Sequence, residues 1–348
     1  MLNWGLIGAG SIAKVFCSGL RFSRTGRLTA IASRTPGKAN ALADLFGIAK
    51  RYPAYEDLLA DREIDVVYIS TIHPAHSEAV IKAAEAGKHI LVEKPIGMNA
   101  QEAAQMIAAA QENDVFLMEA FMYRCHPQIA RLVEIIQAGS LGEVLMVRSA
   151  FGYQAAFNPD SRAYNNALGG GGILDVGCYP ASMARLIAGA AAGEPFLDPT
   201  EIKASGVIGP TGVDHYTMAV LKFQNDIVAE IAAAVACDIP GETFIYGSEG
   251  TLTVPNPWLP STPCRTATEP LPLDTKFPSS VLVLQQKGSS SSTEIEVAAD
   301  RDLFTYEADM VAEHIGVRQA PAVSWSDTLG NMSLLDKWKA ELGVVYDR

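Results

Sequence analysis

Cysteine is scarce in this chain, and its few copies do not pair up. The five residues, Cys17, Cys125, Cys178, Cys237 and Cys264, are scattered, odd in number and form no C-x-x-C motif. That argues against a disulfide framework or a zinc site and fits a reducing compartment. Positive charge is short too: 27 Lys and Arg against 39 Asp and Glu give a formal net charge of -12. No basic cluster interrupts this balance, so no nucleic-acid partner is expected, because a phosphate backbone needs a dense basic face. No apolar run reaches the roughly 18 residues of a membrane span, so no membrane partner is expected either. The opening segment MLNWGLIGAG lacks a basic stretch followed by an apolar core and a cleavage site. No secretory signal is read there, and a cytoplasmic location is expected.

What the chain has is enough apolar material for two cores. Its 348 residues are 49% apolar, and a single core seldom grows beyond about 250–300 residues. The first third alternates short apolar runs with alanine-rich segments. Asn3–Ile7, Leu28–Ala32, Ala49–Tyr52, Asp65–Ser70, His89–Val92 and Val115–Glu119 read as strands, with helical patterns at Ala75–Ala86 and Ala100–Asn113. Strands separated by helices predict an α/β fold with a doubly wound parallel sheet. The pattern changes near Phe121. A helix over Pro127–Gln137 is followed by strands at Val144–Tyr153, Ile202–Ile208, His215–Phe223, Ile227–Ala236, Thr243–Tyr246, Thr251–Val254 and Val281–Gln285. Strands in succession predict a C-terminal α+β domain on a largely antiparallel sheet. Ser289–Ser292 reads as a polar turn, and helices over Leu303–His314 and Trp325–Ala340 close the chain. The expected division is 1–122 and 123–348.

The first strand runs into Gly8-x-Gly10-x-x-Ala13, and a helix follows. Gly8 allows the tight turn, Gly10 lets main chain approach a pyrophosphate, and Ala13 permits close helix–strand packing. Ser11 and Ile12 open the helix, whose free N–H groups would meet phosphate oxygens. This is a dinucleotide site of the Rossmann type. The second strand ends in Ser33-Arg34, where an NAD-selective site usually carries an acidic residue. A hydroxyl and a guanidinium suit a 2′-phosphate, and Lys38 can add charge, so NADP is expected, with NAD still possible.

The fifth strand ends Val92-Glu93-Lys94-Pro95. Ligands in doubly wound sheets sit beyond the carboxyl ends of strands, so Glu93 and Lys94 fall beside the nicotinamide and substrate. Pro95 is a candidate for a cis bond. Far downstream, Gly169-Gly170-Gly171-Gly172 precedes Asp175 and Tyr179. The glycines allow close approach to a ligand or tight packing. Asp175 and Tyr179 share a helix face at a spacing of four. Lysine, carboxylate and phenol form a proton-transfer set in which the ammonium favours phenolate.

Smaller signals are ambiguous. His73 and His76 have no third ligand nearby, so no metal is expected. Arg124 and His126 either touch cofactor or substrate or brace the domain junction. Asn158, Arg162 and Tyr164 either contact substrate hydroxyls or are ordinary loop residues. Trp4, Trp258, Trp325 and Trp338 read as packing residues.

Four segments together resemble the Gfo/Idh/MocA family of NAD(P)-dependent oxidoreductases. They are the glycine loop, Ala86–Pro95, Glu119–Pro127 and Gly169–Tyr179, in family order. The resemblance implies a Rossmann domain followed by a domain with an open sheet that often mediates dimers or tetramers. It puts Thr71, His73 and His76 beside the cofactor, Lys94 at the catalytic centre, and Asp175 in substrate binding and proton transfer. Tyr179 is similar to the tyrosine of the branch with dimeric dihydrodiol dehydrogenase and NADP-dependent D-xylose dehydrogenase. The expected activity is hydride transfer between NADP and a secondary alcohol or hemiacetal carbon of a sugar or cyclic polyol. Lys94, Asp175 and Tyr179 are the catalytic candidates, and Arg124 and Arg162 join them in substrate binding. The alternatives are a reductase of diketones, anhydroketoses or aromatic diols, and a non-catalytic NADP-responsive regulator.

Overall fold

The computed structural model describes residues 1–263 and 269–347; Cys264 lies outside them. Six parallel strands form the first sheet: β1 (Leu2–Ile7), β2 (Gly26–Ala32), β3 (Lys50–Tyr52), β4 (Val66–Ile69), β5 (His89–Glu93) and β6 (Leu117–Ala120). Five helices connect them in turn: α1 (Ser11–Leu20), α2 (Pro36–Phe46), α3 (Tyr55–Ala60), α4 (His76–Glu85) and α5 (Ala100–Glu112). The strand order is β3-β2-β1-β4-β5-β6. The order reverses between β1 and β4, which opens a crevice at their carboxyl ends. Strands β4 and β6 are buried at every residue, because helices cover a parallel sheet on both faces.

Helix α6 (Pro127–Gln137) starts on Pro127, with His126 Nδ1 accepting from Gln128 N at 3.1 Å. Then β7 (Val144–Gln154) enters a second sheet. After it comes α7 (Cys178–Ala192), which the sequence reading did not delimit as a helix. It is buried through Ala190, and a helix wrapped on all sides carries no apolar stripe to read. The remaining strands are β8 (Glu201–Ile208), β9 (Asp214–Lys222), β10 (Val228–Ala234), β11 (Ala236–Ile239), β12 (Thr243–Gly247), β13 (Gly250–Val254), β14 (Ser280–Gln286) and β15 (Thr293–Val297). The sheet order is β15-β14-β13-β12-β7-β10-β9-β8, with β11 also on β7. Its one parallel pair is β7 with β10; the other pairs are antiparallel. The run Ile227–Ala236 splits in the structure: β11 leaves β9 and pairs back on β7. Strand β15 was not anticipated, because Thr-Glu-Ile-Glu-Val at a sheet edge carries too few apolar residues to stand out.

Helices α8 (Leu303–His314) and α9 (Trp325–Leu342) return to the first layer. Thr305 Oγ1 donates to Gly19 O at 2.7 Å, and Ser23 Oγ donates to Asp309 at 2.6 Å. From α9, Lys339 Nζ donates to Met98 O at 2.6 Å, and Trp338 is fully buried. The last two helices thus fasten onto the helices of the parallel sheet.

Candidate active site

The carboxyl end of β1 forms a main-chain cradle. Gly8 has φ +105°, and a Cβ there would lie 2.9 Å from Ser70 O. No heavy atom lies within 4 Å of a Cβ built on Gly10. Helix α1 begins at Ser11 with no side-chain cap and no acidic residue in its first turn. Its leading N–H groups are therefore available to an anion, as the positive end of a helix favours. Ala13 is fully buried, as close helix–strand packing requires. Nearby, Thr71 Oγ1 is buried and finds no hydrogen-bond partner among the described residues. An open cradle, an uncapped helix and an orphaned hydroxyl fit a dinucleotide. At the end of β2, Ser33 Oγ accepts from Thr35 N at 3.2 Å. Arg34 is exposed with its guanidinium 5.9 Å from the Tyr55 ring centroid, and Lys38 is exposed on α2.

Beyond β5, buried groups fix Lys94 in place. The peptide bond to Pro95 is cis. Glu93 accepts from Tyr68 Oη at 2.5 Å and from Lys94 N at 3.2 Å. Ile96 N donates to Glu119 at 2.9 Å, and Thr328 Oγ1 donates to its other oxygen at 2.9 Å. Burial pushes the Glu119 carboxyl up to about 7. Lys94 Nζ then crosses to the other half of the molecule. It donates to Asp175 O at 2.6 Å, lies 3.5 Å from Asp175 Oδ1, and sits 5.0 Å from the Tyr179 ring centroid. Burial opposes its charge, but the neighbouring Tyr179, Asp175, Cys178 and Glu93 outweigh burial and hold the ammonium above its ordinary value.

Asp175 rides on a π-helical turn, Ile173–Gly177, that leads into α7. The helix face anticipated for Asp175 and Tyr179 is thus π-helical at one residue and α-helical at the other. The glycine run serves packing. A Cβ on Gly170 would lie 2.9 Å from Ala163 O, and one on Gly171 (φ +104°) would lie 2.3 Å from Asp214 Oδ1. Asp214 itself accepts from Ile173 N at 2.8 Å, and burial pushes its carboxyl up to about 7. Both oxygens of Asp175 are taken: Arg162 Nη1 donates to Oδ1 at 2.7 Å and Tyr153 Oη donates to Oδ2. Burial alone would raise the Asp175 carboxyl. Lys94 and Arg162 outweigh it and hold the group well below the usual carboxylate range.

Tyr179 is only 2% exposed and stands in an aromatic enclosure. The rings of Phe121, Tyr123, Phe151 and Trp258 lie 5.2–5.7 Å from its own. Its hydroxyl donates to Met122 Sδ at 3.6 Å. Trp258 also stacks on Phe151, so this tryptophan does line the enclosure.

Two of the expected contact residues turn their side chains to protein partners. Arg124 is packed as a brace. It is 7% exposed, donates to Ser182 Oγ and Asp327 Oδ2 at 2.8 Å each, and shares Asp327 with buried Arg185. His76 is 0% exposed, and its ring nitrogens face Pro95 O at 3.0 Å and Thr71 O at 3.1 Å. Its side chain holds the cofactor-side loops together from behind. His73 Nδ1 meets Gly169 O at 3.2 Å, tying the parallel sheet's loop to the glycine run, and burial pushes it down to about 3. His126 caps α6. Tyr164 Oη donates to Ala155 O and Val235 O, while Asn158 Oδ1 accepts from Asp160 N within its own loop. Two residues were missed altogether. Tyr153 is the penultimate residue of a strand with no motif around it. Asp214 begins a strand whose apolar alternation gave no hint of a buried carboxylate.

Comparison with known proteins agrees with this architecture. The model of the oxidoreductase family with an NAD-binding Rossmann fold matches residues 2–121, and that of the GFO/IDH/MocA C-terminal domain matches residues 129–253. The trans-1,2-dihydrobenzene-1,2-diol dehydrogenase of Danio rerio is 34% identical, covering 100% of this chain and 98% of the relative. That of Mus musculus is 30% identical over 99% and 98%. Among solved structures, a 3-ketoreductase from Actinomadura kijaniata in complex with NADP and TDP-benzene superposes with a TM-score of 0.82. It is 24% identical, and the match covers 98% of each chain. An aldose-aldose oxidoreductase from Caulobacter crescentus complexed with glycerol also gives 0.82, at 22% identity over 98% and 97%. With its NAD-binding Rossmann domain and its second, mostly antiparallel sheet, this chain belongs to the Gfo/Idh/MocA family of oxidoreductases.

Proposed function

We propose that the chain transfers a hydride between NADP and a secondary alcohol or hemiacetal carbon of a sugar or cyclic polyol. The observation that carries this reading is Lys94 Nζ, held between Asp175 and the Tyr179 ring at the carboxyl end of β5. Residues 1–122 act as the cofactor unit and 123–348 as the substrate and assembly unit. Gly8, Gly10, Ser11, Ile12 and Thr71 hold the pyrophosphate and its surroundings, and Ser33, Arg34 and Lys38 receive the 2′-phosphate. Bound there, the nicotinamide supplies or accepts the hydride. Lys94 donates a hydrogen bond to the substrate oxygen and stabilises negative charge as it develops. Tyr179 takes the hydroxyl proton in oxidation and returns it in reduction, with the ammonium beside its ring favouring the phenolate. Asp175, fully hydrogen-bonded and anionic, keeps Lys94 charged and aimed. Glu93 and His73 line the nicotinamide side, and Arg162 lines the substrate side.

A second reading is favoured by the relatives, the trans-1,2-dihydrobenzene-1,2-diol dehydrogenases, which match this chain over nearly its full length. On it the substrate is a trans-dihydrodiol, the compound named for the relatives above. Oligomers form through the open face of the second sheet, as homodimers or homotetramers. A cytoplasmic setting is supported by the four described cysteines, all unpaired.

The test is Lys94→Met, assayed with NADP against D-xylose and trans-1,2-dihydrobenzene-1,2-diol. Turnover should fall by about a thousandfold, while the NADPH dissociation constant stays within about twofold. Near-normal turnover in the variant would sink the assignment. The preferred substrate in the wild-type assay chooses between the polyol and dihydrodiol readings.

A further inference from the structure

The Asp175 carboxylate collects donors from separate parts of the fold. Arg162 comes from the loop after β7, Lys94 from the end of β5, and Tyr153 from β7 itself. Tyr153 has the most rigid root of the three. Its neighbour Gly152 pairs with Ala234 of β10 and with Ile239 of β11, and Gln154 pairs with Ala236. A phenol anchored on a central strand, held on both sides, moves little. Arg162, by contrast, has a half-exposed side chain on a loop.

The two tyrosines of the site have opposite neighbours. Tyr179 faces the Lys94 ammonium, whereas Tyr153 donates to the Asp175 carboxylate. Burial and the Asp175 charge hold the Tyr153 phenol above its ordinary value, so it stays a donor and does not serve as a base.

We propose that Tyr153 is a positioning residue: its hydroxyl fixes Asp175 Oδ2, and through Asp175 it fixes the Lys94 ammonium. The proposal rests on the reading of Lys94 given above and assigns Tyr153 a part in it that the sequence motifs do not contain. With Oδ2 released, the carboxylate can rotate about its χ2 bond, and Oδ1 no longer faces Lys94 and Arg162 together. Lys94 then loses the anion that aims it. The groups facing the Asp175 carboxylate are Lys94, Arg162, Tyr153 and His73 of the turn before α4, while Cys178 Sγ lies 4.0 Å from the Asp175 main-chain oxygen. Tyr153→Phe removes one donor and leaves the other groups in place.

Two measurements on the full chain test this. The first needs no turnover. In protein labelled with carboxyl-13C aspartate, the Asp175 resonance is identified by its loss in Asp175→Asn, and its chemical shift is read at pH 7. A carboxylate that loses a hydrogen bond changes its carbon shielding, so Tyr153→Phe should move this resonance and leave the other aspartate resonances in place. The second is kinetic, with NADP and the better of the two alcohols above. The variant's kcat should fall about tenfold, with the KM for NADP unchanged. Tyr153→His, whose ring N–H can donate to the same oxygen, should recover part of both effects. An unmoved Asp175 resonance in Tyr153→Phe, or a kcat within twofold of wild type, would overturn the proposal. If Lys94→Met keeps its turnover, the functional reading falls instead, and the carboxyl resonance still decides whether Tyr153 fixes Asp175.

Discussion

The two sheets solve the problem of covering a face differently. The parallel sheet is flanked by helices, so β4 and β6 are buried at every residue and β5 at all but its first, while the edge strand β3, Lys50-Arg51-Tyr52, meets solvent. The second sheet is covered on one side, where Ala219, Leu221, Ala229 and Ile231 are buried. Its other side carries Met146, Val207, Tyr216, Met218, Val220 and Val228, with Met218 55% and Val220 49% exposed. Cross-strand register keeps these residues in one patch, since Val207 faces Tyr216, and Val228 faces both Lys222 and Met146. Charged residues share this face: Val220 lies between Lys203 and Glu230 across the strands, and Arg148 pairs with Glu230. The parallel sheet therefore presents main chain at the site, whereas the second sheet presents side chains: Tyr153 toward the site, and exposed residues on its open face.

That contrast can be broken at its largest effect first. Met218→Asp puts a charge in the middle of the open face, where an assembled partner would bury it unpaired. Sedimentation velocity should show the oligomer's dissociation constant rising by at least about a hundredfold. A wild-type chain that is already monomeric, or a variant that still assembles, would mean the face has another use. A smaller effect probes the parallel sheet. Arg34→Ala should raise the KM for NADP about tenfold and leave that for NAD within about twofold, because only the former has a 2′-phosphate to lose. Equal changes for both cofactors would remove the 2′-phosphate role.

The smallest effect tests the brace behind Asp175. Burial holds the Asp214 carboxyl at about 7 against an ordinary 3.8. The folded state thus binds this proton more tightly than the unfolded state. Its contribution is fully present below about pH 4 and is lost as pH rises through about 7. Asp214→Asn cannot ionise, so its melting temperature should match wild type at pH 4 and exceed it by a few degrees at pH 8. A gap that does not widen between those pH values would show that Asp214 does not titrate in this range.

The cofactor half of the site was largely legible in the sequence, because it is built from consecutive residues. Gly8, Gly10 and Ala13 each answer a local steric demand, and Ser33-Arg34 follows the strand that fixes its place. Lys94 could be found from its position at a strand end. The substrate half was legible only in part. Asp175 and Tyr179 stood out through the glycine run beside them, and that run packs closely against Ala163 and Asp214. Arg124 and His76 look like binding residues by type, and in the fold both are buried against protein partners. Burial of a charged side chain depends on what folds over it, here Ser182 and Asp327 for Arg124.

By itself the sequence determined the alternation of strands and helices, the turn that only glycine accommodates at Gly8, and the cation at the end of β5. These follow from periodicity and from the conformational freedom of single residues. The tertiary structure decided which groups share the Asp175 carboxylate. Lys94 meets Asp175 across 81 positions of chain, and Tyr153 meets it across 22. No local pattern encodes such a meeting. It arises when the second sheet and its π-helical turn pack against the carboxyl ends of the first.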